Sequence, residues 1–156
     1  MRSLFRGCYS VRLPLAAALL ATLCLSEEPS TVWRQSELIE PSALASALKS
    51  SNPPFVLCVS ESSAYDPKHI AHAIFAGPGG KAEGIDLLKA AASAFAKDDM
   101  IVIYCSCCPL NKCPNVRPAY TVLKELGFTH VRAFDLMTNM QKEWYDLGYP
   151  SEGSAK

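Results

Sequence analysis

The chain has 156 residues, enough for one ordinary domain with its own core, and its 15 Lys+Arg balance its 15 Asp+Glu. Residues 1–26 hold three arginines and no acidic residue, so the remainder has 12 basic against 15 acidic residues, a net charge of −3, which argues against nucleic acid as a partner. Of seven cysteines, Cys8 and Cys24 fall in that first segment, and four of the other five crowd into nine positions, which excludes a disulfide framework tying distant segments together.

Arg2, Arg6 and Arg12 precede an uncharged Leu/Ala run from Leu13 to Leu25, and Ser26 with Glu27-Glu28 follows as a cleavage point. This pattern reads as a secretory signal at 1–26, and the run is too short to cross a bilayer comfortably. The protein is therefore expected to be exported, periplasmic or secreted, with no membrane span once the signal is gone. Residues 27–32 read as a linker, 33–150 as one domain and 151–156 as a flexible tail.

Val32-Trp33 and Leu38-Ile39 predict a short opening strand or extended segment. Pro41 suits the first turn of a helix carrying Leu44, Ala45 and Leu48, which Ser50 to Pro54 ends. Phe55 to Val59 reads as a buried strand, Ser60 to Pro67 as a loop and Ile70 to Phe75 as a brief third strand. Gly77-Pro78-Gly79-Gly80 breaks the chain before a helix from Ala82 to Ala96, with Ile85, Leu88, Ala92 and Phe95 on one face.

Ile101-Val102-Ile103-Tyr104 is apolar, mostly β-branched and short, hence a buried strand, and it ends on Cys105. The segment that follows holds Cys107, Cys108, Cys113, Pro109, Pro114 and Lys112, a composition suited to neither strand nor helix interior. A helix then runs from Arg117 to Leu126 and stops at Gly127. Val131 to Phe134 gives a further strand, and Met140 to Leu147 a last helix stopped by Gly148. Short apolar strands alternating with helices imply an α/β fold with a mostly parallel sheet covered on both faces. In such sheets the ligand site lies beyond the carboxyl ends of the strands, where Cys105 falls. A sulfur there, near a helix start, is expected to favour its thiolate.

Four stretches, in this order, resemble the single-domain rhodaneses, sulfurtransferases that carry sulfur as a cysteine persulfide. They are Phe55 to Ser60, Tyr65 to Ile74, Ile101 to Cys105, and Gly127-Phe128 through Val131 and Trp144 to Gly148-Tyr149-Pro150. The resemblance spans about Leu38 to Pro150 and implies a three-layer sandwich with Cys105 as nucleophile. It also implies a small sulfane donor such as thiosulfate or a persulfide, a thiol or cyanide acceptor, and no cofactor. Cys58-Val59-Ser60 stands where the family commonly has an Asp-x-Arg pair. The loop after the nucleophile is enlarged by Cys107 to Asn115, which displaces Arg117, and Asp135-Leu136-Met137 replaces the family's usual glycines.

In that chemistry Cys105 attacks the outer sulfur of the donor, with loop N–H groups, Lys112 and Arg117 as candidates to stabilise the charge that develops. Cys107, Cys108 and Cys113 read as resolving thiols, or as a structural disulfide from Cys107 or Cys108 to Cys113. Two rival readings remain open. One is a thiol-disulfide redox protein using Cys105 with Cys108 or Cys113; the other is a non-enzymatic module binding a metal or a protein partner. Three ligands within four residues strain a tetrahedron, so no metal site is expected. Cys58 reads as a buried inert thiol on a neighbouring strand, and Trp33 and Trp144 as core anchors.

Overall fold

The computed structural model describes residues 32–153, so the expected signal at 1–26 and nearly all of the linker lie outside the described residues. Along the chain come β1 (Leu38–Ile39), α1 (Pro41–Ala47), β2 (Phe55–Cys58), α2 (Ser62–Tyr65), β3 (His69–Ile70), β4 (Ile74–Phe75) and α3 (Ala82–Ala92). β5 (Met100–Tyr104), α4 (Val116–Glu125), β6 (His130–Phe134) and β7 (Ser151–Glu152) follow, with a π-helical turn at Gln141–Tyr145. Five strands form one sheet in the order β1-β6-β5-β2-β4, and every pairing in it is parallel. β3 and β7 make a separate antiparallel pair.

The alternation of side chains along a strand sorts the core into two halves. Leu57, Ile101, Ile103, Val131 and Ala133 face Leu88 and Ala92 of α3 and Ala119, Tyr120 and Leu123 of α4. Val56, Cys58, Val102, Tyr104 and Phe134 face Leu44 and Ala45 of α1, together with Met140 and Trp144. The result is the three-layer α/β sandwich with a mostly parallel central sheet that the sequence implied. β5 lies third of five, paired on both sides, which is why its residues from Ile101 to Tyr104 are all buried and apolar.

Four local expectations change. The single strand expected over Ile70 to Phe75 is two strands serving different sheets, because the backbone turns at His72 with φ of 59°. The expected loop after β2 contains the helical turn α2, and α3 ends at Ala92 rather than Ala96. Ser151 and Glu152, expected in a flexible tail, pair with His69 and Ile70, and Glu152 lies 3.1 Å from His72 Nδ1. No helix among the described residues is long and apolar enough to cross a membrane.

Candidate active site

Cys105 follows β5 directly and continues its alternation, so its side chain joins Ile101 and Ile103 on the α3 and α4 face. It is buried, with 3% of its surface exposed, while Cys107 is exposed and Cys108 and Cys113 are half-buried. The loop bends at Ser106 to Cys108, makes a tight 3-10 turn at Leu110–Lys112 and enters α4. It is anchored at its middle, where the buried Leu110 donates its N–H to the Leu136 carbonyl at 2.7 Å. All five described cysteines are free thiols in this structure.

The sulfurs nevertheless meet. Cys105 Sγ lies 3.1 Å from Cys107 Sγ, and Cys107 Sγ lies 3.2 Å from Cys108 Sγ. The three atoms fall within 4.8 Å of one another, and the Cys113 thiol hydrogen-bonds to both Cys105 and Cys108. The three thiols therefore converge despite their close spacing in the sequence. The bends at Ser106, Cys107 and Cys108 turn the backbone so that the three side chains meet.

Crowding also reverses the expected ionisation. A hydrogen bond with the Cys113 thiol, then burial, pushes the Cys105 thiol well above its ordinary range, although the Cys107 N–H acts in the other direction. Burial, followed by the hydrogen bond with Cys107, pushes Cys108 up to about 12. Burial and then Cys105 raise Cys107 as well. Each thiolate formed here disfavours the next, since like charges meet at sulfur contact distance in a partly desolvated loop.

Asn115 is the site residue that the sequence reading missed. It is buried, with 8% exposed, and its Nδ2 donates to Cys105 Sγ at 3.6 Å while its Oδ1 accepts the Gly80 N–H at 3.0 Å. An Asn just before a helix ordinarily signals a cap, but this side chain makes no cap bond. It ties the glycine turn before α3 to the sulfur instead.

Of the two expected cations, Lys112 is exposed on the 3-10 turn. Arg117 stacks its guanidinium 3.3 Å above the Trp33 ring, where burial lowers its pKa against the pull of Glu37. Neither is among the leading influences on the Cys105 thiol. Trp33, expected in the core, is the half-buried platform for Arg117 and meets Tyr120 edge-on, whereas Trp144 is a core anchor with no exposed surface. Cys58 sits beside β5 in register with Tyr104, but alternation sends its sulfur to the opposite sheet face. There it is fully buried, 3.0 Å from Ser60 Oγ and 3.6 Å from Ser106 Oγ, and burial raises its pKa.

No protein-family model and no curated protein matches the chain. Solved structures do. The crystal structure of the Alr3790 protein from Anabaena sp. is 25% identical with a TM-score of 0.58, over 76% of this chain and 94% of that one. The solution structure of the rhodanese-like domain of the same Anabaena protein is 26% identical with a TM-score of 0.54, over 76% of this chain and 80% of that one. The BH2092 protein from Bacillus halodurans shares the fold at 23% identity and a TM-score of 0.59, over 77% and 79% of the two chains. With the sheet order, the two covered faces and a cysteine where the central strand ends, the chain has the fold of the rhodanese-like domains it is similar to, with a cysteine-rich loop after β5.

Proposed function

We propose that the domain is a sulfurtransferase that carries sulfane sulfur as a persulfide on Cys105 and passes it outward through Cys107. The observation that carries this reading is a buried thiol at the carboxyl end of the central strand, 3.1 Å from an exposed one. In loading, Cys105 gives up its proton and attacks the outer sulfur of thiosulfate; the new S–S bond forms as the donor's S–S bond breaks and sulfite leaves. In unloading, the thiolate of Cys107 takes the outer sulfur, Cys105 regains its thiol, and an acceptor thiol or cyanide removes the sulfur from Cys107. No oxidant or reductant is consumed. The Asn115 amide is placed to donate to Cys105 sulfur as negative charge develops on it.

The basic and then apolar pattern of residues 1–26 supports a role outside the cytoplasm as part of this proposal, with a small sulfur donor and a thiol acceptor as partners. Incubating the reduced, metal-free protein with thiosulfate should add the mass of one sulfur, and Cys105→Ser should abolish the addition. Cys107→Ser should keep the loading but slow transfer to an acceptor by roughly tenfold or more. An unchanged mass with thiosulfate and with a persulfide donor overturns the reading. Catalysed disulfide exchange in the absence of any sulfane donor would favour a redox protein instead.

A further inference from the structure

Sulfur transfer as proposed uses Cys105 and Cys107, and leaves Cys108 and Cys113 without a task. We propose that Cys105, Cys107 and Cys108, with Cys113 as the fourth donor, bind a closed-shell thiophilic cation, zinc(II) or copper(I). Among the described residues the first three are the cysteines, histidines and carboxylates whose ligand atoms come within 4.8 Å of one another. Zinc–sulfur bonds of about 2.3 Å in a tetrahedron put the sulfurs roughly 3.8 Å apart. The observed contacts of 3.1 and 3.2 Å fall within about 0.7 Å of that spacing, a gap on the scale of side-chain rotation.

Cys113 lies outside that 4.8 Å set and is the fourth donor that the loop offers. Its thiol reaches Cys105 and Cys108 from beyond the 3-10 turn, so the ligands approach an ion from two segments of the loop rather than one. The loop is already shaped for this before any ion arrives. Leu110 is tied to Leu136, and Pro109 and Pro114 flank the turn and limit its unbound conformations.

Ligand chemistry narrows the ion. A donor set of thiols alone selects soft cations and excludes calcium, magnesium and manganese, which take oxygen. Binding four thiols to zinc(II) forms four Zn–S bonds, releases four protons and leaves a cluster of charge 2−; three thiolates around copper(I) reach the same charge. The Asn115 Nδ2 donor and the Cys107 N–H, both on Cys105 sulfur, offset that charge. An ion enters through exposed Cys107 and half-buried Cys108.

This inference stands apart from sulfur transfer, because uptake is measured with no sulfur donor and sulfur loading is measured with a chelator present. The full chain, reduced and stripped of metal, is titrated with cobalt(II) as a spectroscopic probe, then with zinc(II) and copper(I). Saturable uptake of a single ion is expected, with the sulfur-to-cobalt charge-transfer absorption of a thiolate site. Native mass spectrometry should show the ion retained. The double variant Cys107→Ser with Cys108→Ser should weaken uptake by about a hundredfold or more, while Cys58→Ser leaves it unchanged.

Cys113→Ser separates the two ions. Loss of tight zinc(II) binding identifies the four-sulfur site, and copper(I) binding that survives the change identifies a three-sulfur one. Circular dichroism of each variant checks the fold. Absence of uptake of every ion by the unaltered chain, or uptake that survives the double variant, overturns the inference.

Discussion

Asn115 stands where a helix usually takes its cap, yet its two polar atoms are spent on Gly80 and on Cys105. The two bonds are separable by substitution. Asn115→Ala removes both and strands the Gly80 N–H, and it should cost about 1 kcal/mol of stability and, if the sulfur becomes anionic in sulfur transfer, roughly 10- to 100-fold in loading rate. Asn115→Asp keeps an acceptor for Gly80 but replaces the donor on sulfur with a carboxylate oxygen. It should fold nearly as well as the parent yet load sulfur as poorly as the alanine variant, because a negative charge now faces a sulfur that must itself become anionic. Urea denaturation read beside the rate of mass gain from thiosulfate checks both. Equal loading by all three proteins would leave Asn115 a purely structural residue.

The elements that hold the site were largely legible in the sequence, and its electrostatics were not. β5 announced itself through four apolar residues ending on a cysteine, and α4 through Tyr120 and Leu123 at helical spacing, so the strand, loop and helix order was readable in advance. The split of residues 69–75 was not, because the turn that divides them is made by His72 at positive φ, with no glycine or proline to mark it. Nor was the ionisation of Cys105, since the distances between sulfurs that set it depend on how the loop between β5 and α4 folds back on itself. Asn115 was hidden by its own ordinary meaning at a helix start. The Gly77 to Gly80 break was legible as a break but not as a packing surface. A Cβ on Gly79 would run into the Asn115 carbonyl and come within 2.9 Å of the Ala119 Cβ. Gly79→Ala must therefore push the start of α4 outward, at a cost of about 1–3 kcal/mol, and draw the Asn115 amide off the sulfur. A lower denaturation midpoint together with faster alkylation of Cys105 is expected; alkylation at the parent rate would show that the helix start absorbs the clash without moving the site.

Across the whole domain the sheet separates stability from chemistry. Cys105 belongs to the core half beneath α3 and α4, while Trp144 fills the other half, fully buried, edge-on to Phe134 and Tyr149, with its indole N–H donated to the Pro150 carbonyl at 3.0 Å. Both halves pack on the same strands, so neither is expected to unfold alone, and a loss on either face lowers the stability of the whole. Trp144→Phe removes the indole hydrogen bond and part of the ring volume. The Pro150 carbonyl still accepts the Ala71 N–H, so no acceptor is orphaned and the loss is confined to one bond and a small cavity. Together these amount to about 2 kcal/mol, or a fall in Tm of roughly 5–10 °C. Below that transition the thiosulfate loading rate should match the parent protein's, because the sheet lies between the missing atoms and the sulfur. A thermal melt and a loading assay on the same preparation test this. A rate that falls along with Tm would mean that the two halves are mechanically coupled through β5, and that the thiol loop depends on packing across the entire sandwich rather than on the face it occupies.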